Sequence, residues 1–268
     1  MLSLLNSFRC MAQLQDDDRI IDKAKLMVLY DLNYAEDSIH TDWRGNETMM
    51  LLIGNRHSFF SSYLAYTFEM VMRQKEDEGL LAEWIDNGSY NDYPIHRFVY
   101  KIYKDFARNN VTYTEYLFLT GSFQYEEDMD NMEWNILDDT LEIGGFRTQK
   151  AVCDYGGRQW EAWFAEELPF DDGPYKFHGL PGLILQISDT RGHYRFDFKS
   201  IEVVADGTKI EFGKEQTIKT TKAGFFKVED ELRDNVMDNF DLRTNSDSQK
   251  KIHAAMKSRN NPIELDRK

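Results

Sequence analysis

Cys153, the histidines His57, His178 and His193, and the acidic pairs Glu166-Glu167 and Asp171-Asp172 are the side chains whose types could carry a reaction or hold a metal. A thiol beside an imidazole makes a nucleophile and its base. A hydrolase could therefore use Cys153 with His178, or the Asp171-Asp172 pair. The histidines are dispersed, with no HxH, no HExxH and no pair at i, i+4, so a metal-handling site would have to be assembled by the fold, and none is expected. Adjacent carboxylates could hold a hard cation, yet at turns they normally face solvent. Cys153 stands between Val152 and Asp154 in a strand-like run, where a small buried side chain is the expected role. Cys10 and Cys153 offer neither zinc-ligand spacing nor a disulfide framework.

The densest constellation is "DDGPYKFHGLPGLILQ", residues 171 to 186. A phosphate loop needs GxxxxGK[ST] between a strand and a helix; here the glycines precede a strand, and Lys176 comes before them. A hydrolase elbow needs Ser or Cys between glycines, and Gly179-Leu180-Pro181-Gly182 holds neither. The segment reads instead as a bend that opens a strand. Gly173 belongs to the motif; Pro174 and Pro181 fix φ, Gly179 and Gly182 relieve steric limits on the turn, and Leu183, Ile184, Leu185 and Ile187 enter the core. The candidates for contact with a ligand or partner are Arg158, Trp160, Trp163, Asp172, Tyr175, Lys176, Phe177 and His178. Asp172, Tyr175 and Lys176 are expected to be exposed, and no cofactor is expected.

The elements that must position these residues are mostly strands. Leu26, Val28, Tyr30, Leu32 and Tyr34 alternate with more polar residues, the period of a half-buried strand, and "TMMLLIG" reads as a second. In "SFFSSYLAYTFEMVMRQ" the period changes: Phe60, Leu64, Phe68 and Val71 form one stripe of a helix beginning near a cap at Ser58. Strands resume at "IHRFVYKIY" and "VTYTEYLFL", separated by a turn at Asn109-Asn110. Two hairpins follow, one turning at Gly156-Gly157 and one from Thr190 to His193. No βαβ alternation occurs, which argues against a doubly wound nucleotide-binding sheet. From Ala223, Val228, Leu232, Val236 and Phe240 recur every four residues as a helical stripe. The expected fold is mainly β (α+β): a curved antiparallel sheet or open half-barrel with a packed helix. The expected divisions are an arm over 1–20, a β-rich domain over 21–221 and a helical tail of the same domain over 222–268.

Composition narrows the function. Lys plus Arg is 32 and Asp plus Glu is 47, a net charge of −15. The only basic-leaning stretch, Lys250, Lys251, Lys257 and Arg259, reads as a solvated helix face, so no nucleic-acid partner is expected. No apolar run approaches the ~18–20 residues of a membrane helix. At the amino terminus, a short apolar start is followed by Cys10, Met11 and Ala12 before Gln13. This small-x-small arrangement is one that signal peptidase accepts, and reads as the remnant of a secretion signal.

The stretch "GRQWEAWFAEELPFDDGPYKFHGLPGLILQISD" resembles the GLPGLI family, exported bacterial proteins named after the hexapeptide Gly179 to Ile184. Gly145, Gln149-Lys150-Ala151, Gly157-Arg158, Ala162-Trp163-Phe164, Pro169, Gly173-Pro174 and Phe177 match in order. So do "LLIGNRHSFFSS" and the terminal "NPIEL". The resemblance implies a periplasmic or surface destination. It brings no established activity, cofactor or catalytic residue, and family genes near outer-membrane nutrient transporters imply envelope work. The leading expectation is a non-enzymatic protein that binds an apolar ligand, an envelope protein or a transporter through its aromatic face. The alternatives are a hydrolase of unknown substrate and a periplasmic metal-handling protein. A hydrophobic concavity, a nucleophile beside a base, or three convergent ligands would separate them.

Overall fold

In the strand Leu26–Tyr34, Val28, Tyr30, Leu32 and Tyr34 are buried on one side, while Met27 and Leu29 pack on the other. This single alternation sets the architecture, because a sheet with two apolar faces must be covered on both. The computed structural model describes residues 19–118, 120–129, 132–205, 207–213, 215–239 and 254–267. The expected secretion remnant at Cys10 to Gln13, the basic residues Lys250 and Lys251, and Phe240 lie outside the described residues.

The strands are β1 (Ile20–Lys23), β2 (Leu26–Tyr34), β3 (Gly45–Ile53), β4 (His57–Ser62), β5 (Lys101–Asp105), β6 (Asn110–Leu117) and β7 (Gly121–Asp128). They continue as β8 (Asn135–Ile143), β9 (Phe146–Tyr155), β10 (Arg158–Ala165), β11 (Leu183–Asp189), β12 (Tyr194–Val203), β13 (Lys209–Glu211) and β14 (Thr217–Lys219). The helices are α1 (Tyr63–Asp77), α2 (Leu81–Asp86) and α3 (Lys222–Asn239). β1 begins at Ile20, so the arm expected over 1–20 ends inside a strand.

One twelve-stranded sheet runs β14-β7-β6-β5-β4-β3-β2-β12-β11-β10-β9-β8. Two meanders, β2 to β7 and β8 to β12, join where β12 pairs with β2, and every pair is antiparallel except β14 with β7. The edges β14 and β8 do not meet, so the sheet stays open. β1 and β13 form a separate two-stranded sheet. On one face of the large sheet lie α1 and the β1–β13 pair, packed on Met50, Leu52, Phe59 and Tyr103. The other face carries the main core: Tyr30, Phe60, Trp160, Phe164, Phe177 and Phe196, covered by the 171–182 segment, α3 and the carboxy-terminal residues. Each such side chain contributes about 1.5–3 kcal/mol of burial.

Both hairpins are present, with Gly156 and Gly157 at φ 60° and 74° in the first turn, and so are the expected strands, except that the one expected from Ile95 begins only at Lys101. The start of the first helix is a correction. His57–Ser62 is strand β4, paired between β3 and β5, and α1 begins at Tyr63, capped by the Ser62 hydroxyl, which accepts from the Ala65 amide at 3.2 Å. Phe59 and Phe60 are therefore on opposite faces of a strand, not on a helical stripe. The β-rich SFFSS run outcompetes the helical spacing because both of its edges find partners. Among the described residues, no helix is long and apolar enough to cross a membrane.

Candidate functional site

The glycine- and proline-rich segment links β10 to β11 and is stitched down by charges that the fold buries. Lys104 of β5 has a fully buried side chain and donates to Asp172 Oδ1 at 2.6 Å, the Gly173 carbonyl at 2.8 Å and the Phe177 carbonyl at 3.0 Å. All three ammonium protons are used, which is what makes burial of this charge tolerable. Burial pushes the Lys104 ammonium down, against the pull of Asp172. Lys176 makes a second anchor, donating to the Tyr125 hydroxyl at 2.8 Å and Glu264 Oε1 at 2.6 Å and pairing with Glu127. Its ammonium also sits over the rings of Tyr113, Tyr125 and Tyr175, 4.9–5.5 Å from their centroids. Lys222 of α3 closes the network on Glu127 and Glu264.

Arg158 does for the carboxy terminus what Lys104 does for the loop. Its guanidinium donates to Asp189 Oδ2 at 2.9 Å, Asn261 Oδ1 at 2.7 Å, the Pro262 carbonyl at 2.6 Å and the Ile263 carbonyl at 2.9 Å. The fixed fork of an arginine suits such a set of acceptors, where a lysine could not serve them all. The Tyr194 hydroxyl holds the Asn261 carbonyl at 2.6 Å, and the Gly156 carbonyl takes the Leu265 amide at 2.6 Å. The "NPIEL" stretch, 261–265, is thus an inserted strap.

These facts place the sequence candidates. Asp172, Tyr175 and Lys176 were expected on the surface; all three are buried, because each has a polar or charged partner distant in sequence. Trp160 is fully buried, donates to the Tyr155 carbonyl at 3.0 Å and meets Phe177 edge-on at 4.7 Å. Trp163 is half-buried beneath the Lys150 ammonium. Both ring nitrogens of His178 face backbone carbonyls, of Lys176 and Met129, which leaves neither for Cys153. The Cys153 thiol is buried and pushed up to about 12 by that burial, with Asp154 adding to it, so it is not a poised nucleophile. Asp171 and the Glu166-Glu167 pair are exposed. Among the described residues, no group of three or more His, Cys, Asp or Glu side chains is gathered to hold a metal.

The motif glycines answer to two different constraints. Gly179 takes φ 93°, a conformation that side chains resist. Gly182 has no positive φ; instead a Cβ there would strike the Ala165 carbonyl at the end of β10. Leu180, Leu183 and Ile184 are buried, and the Tyr30 hydroxyl donates to the Ile184 carbonyl at 2.8 Å.

One sequence candidate, Tyr175, opens onto a cavity of about 300 Å³. It holds φ 54°, left-handed and uncommon for a bulky residue, fixed by its hydroxyl donating to Glu264 Oε1 at 2.6 Å and by edge contact with Tyr100 at 5.6 Å. The walls include Phe98 and Tyr100 before β5, Tyr113 and Glu115 to Phe118 of β6 and its end, Phe225 and Leu232 of α3, Asn261 to Glu264 of the strap, and Tyr194 of β12. Tyr116 and Phe118 are exposed among its lining residues. Period-2 alternation along β6 puts Tyr113, Glu115 and Leu117 on the core face, so a carboxyl points where an apolar residue belongs. The Tyr113 hydroxyl donates to Glu115 Oε2 at 2.5 Å. Burial and then the Glu229 carboxylate push Glu115 up to about 7, against the pull of Tyr113, Arg97 and Arg267. The readable signal was that inward glutamate within "VTYTEYLFL", together with Phe225-Phe226 at the start of α3.

Comparison with known proteins gives a family-model match over part of the chain and a fold likeness. The profile of Porph_ging, described as a protein of unknown function, matches residues 100–186, from the start of β5 into β11 and through the hexapeptide. Two structures of PNGF-II, in P21 and C2 space groups, are similar at TM-score 0.53 and 11% identity, each covering 76% of this chain. This chain spans about a third of theirs, 33% and 32%. At that identity the likeness is one of fold. No curated protein matches the chain.

Proposed function

We propose that this chain is a GLPGLI-type protein of the cell envelope that binds a small, largely apolar ligand in the cavity between β6, α3 and the carboxy-terminal strap. The observation that carries this reading is the cavity itself. It is concave, and its aromatic and apolar walls are set among charged side chains that mostly pair with one another, which fits a small-molecule site of apolar surface with placed polar groups. The segment just before the hexapeptide supports the rim: Tyr175 forms part of the wall, and Lys176 holds Glu264 and with it the strap. The reading as a binding protein is favoured over a hydrolase because Cys153, His178 and Asp172 are committed to the scaffold.

The resemblance to exported proteins and the small residues before Gln13 support a periplasmic or surface location. A transporter of the outer membrane is the proposed partner. Native mass spectrometry of the full chain purified from its own cells tests the binding reading. A released adduct that is lost when Leu117→Trp fills the cavity is expected; an adduct-free protein, or one whose adduct is indifferent to that change, would overturn it. Fractionation with amino-terminal sequencing tests the location, with a start near Gln13 expected and a cytoplasmic chain retaining Met1 contradicting it.

A further inference from the structure

We infer that the cavity selects a cationic amphiphile, an apolar or aromatic body bearing an amine or quaternary ammonium, whose charged head rests on the Glu115 carboxylate. This rests on the reading of the cavity as a ligand site and names what that site prefers. Charge pairing carries the inference. Of the charged side chains that line the cavity, Glu36 pairs with Arg97, and Glu229 with Arg267 at 2.9 Å. Glu264 pairs with Lys176 and Lys222, Arg233 with Asp230 at 2.8 Å, and Arg259 lies 3.9 Å from Glu36. Among the described residues lining the cavity, Glu115 alone has no ion pair; its hydrogen bond comes from the neutral Tyr113 hydroxyl. An anionic head would find each arginine already facing a carboxylate, whereas a cation finds a carboxyl with no direct ion pair, only the longer-range pull of Arg97, Arg259 and Arg267.

The walls favour the same sign of charge. Phe98, Tyr100, Tyr113, Tyr175, Phe225 and Phe226 present rings whose faces are negative and attract ammonium groups. Two of these rings, Tyr113 and Tyr175, already do so for Lys176, and the Arg267 guanidinium lies over Phe226, 4.7 Å from its centroid. A protein with a net charge of −15 also draws cations toward it from solution.

The protonation of Glu115 gives the proposal a distinctive signature. The groups acting on it are Tyr113 on its own strand, Glu229 from α3, Arg97 from the segment before β5, Arg259 ahead of the strap and Arg267 just beyond it. Because these surroundings set it near 7, much of it is protonated at pH 6 and little at pH 8. An ammonium head favours the ionised carboxylate, so binding releases a proton and affinity rises across that interval, then levels off.

Isothermal titration of the full chain at 150 mM salt, with octylammonium, octanol and octanoate as probes, tests this. Octylammonium should bind at least about tenfold tighter than either of the others at pH 8, with the preference shrinking at pH 6. Glu115→Gln should keep octanol binding and erase the preference. The pH comparison on the unmodified chain decides the matter should the variant fail to fold. Octanoate binding as tightly as octylammonium, or a preference that survives in Glu115→Gln, overturns the inference while leaving the cavity as a ligand site. Folded protein that binds none of the three probes overturns both.

Discussion

Replacing Lys176 with methionine should destabilise the protein by about 3 kcal/mol, and the structure shows why the figure is neither smaller nor larger. The lysine side chain is 1% exposed, and its ammonium serves Glu264, Glu127 and the Tyr125 hydroxyl. Methionine fills most of the space but leaves two carboxylates short of a charge, and breaking a buried pair from one side costs about 3–5 kcal/mol. Lys222 remains, 2.9 Å from Glu127 Oε2 and 2.5 Å from Glu264 Oε2, which holds the cost to the lower end. At about 2–4 °C per kcal/mol for a domain near this size, the melting temperature should fall by roughly 6–12 °C. Calorimetry at pH 7 reads it directly. The pH dependence adds a check. Burial alone would raise the Glu264 carboxyl, yet Lys176 and Lys222 hold it down to about 2. A folded value below the unfolded one means stabilisation present above about pH 4.5 and lost as pH falls toward 2. The gap between parent and variant should therefore narrow over that interval, and adding Glu264→Gln should recover part of the loss. A variant melting within about 2 °C of the parent at pH 7 would refute the claim that this network holds the strap.

Other expectations follow from the same geometry. Gly182→Ala should lower the melting temperature although its φ is ordinary, because the added Cβ meets the Ala165 carbonyl, and Leu183→Ala should cost ~2–5 kcal/mol as a buried truncation; thermal melts check both. Glu115 is raised in the folded state, so its contribution is greatest below about pH 4.5 and declines as pH rises through 7. Allowing for screening at a half-buried group, the decline is on the order of 1–3 kcal/mol, and Glu115→Gln should flatten that part of the urea-denaturation pH profile. Cys153 should resist a thiol reagent at pH 8 until denaturant is added; rapid labelling of native protein would show that the thiol is accessible and ionisable.

The sheet was largely legible because alternation is local: Val28, Tyr30, Leu32 and Tyr34 declare their face without reference to any other strand. Gly156-Gly157 likewise announces a hairpin from two adjacent residues. The start of α1 was not legible, since Phe60, Leu64 and Phe68 fit a helix until β3 and β5 are known to flank SFFSS. The same limit hid the site. Lys176 looks like a surface lysine in "GPYKFHG", and only its partner Glu264, 88 residues away, explains its burial. Asp172 and Lys104 are separated by 68 residues, and Arg158 finds Pro262 across 104. Buried charges pair through the fold, so the sequence shows each member without its mate. Glu115 is the exception. An acidic residue on the inward face of an alternating strand is visible in one line of sequence, and it marks the cavity.

The cavity's role as the binding site is tested most directly by following backbone amide resonances of the full chain while octanol and octylammonium are added in turn. The account predicts shifts centred on Tyr113 to Leu117, Phe225 to Leu232 and Asn261 to Glu264, with the Glu115 region responding more strongly to octylammonium. Shifts centred instead on the exposed Ile39, Trp43 and Ile95, with the cavity residues unmoved, would contradict it.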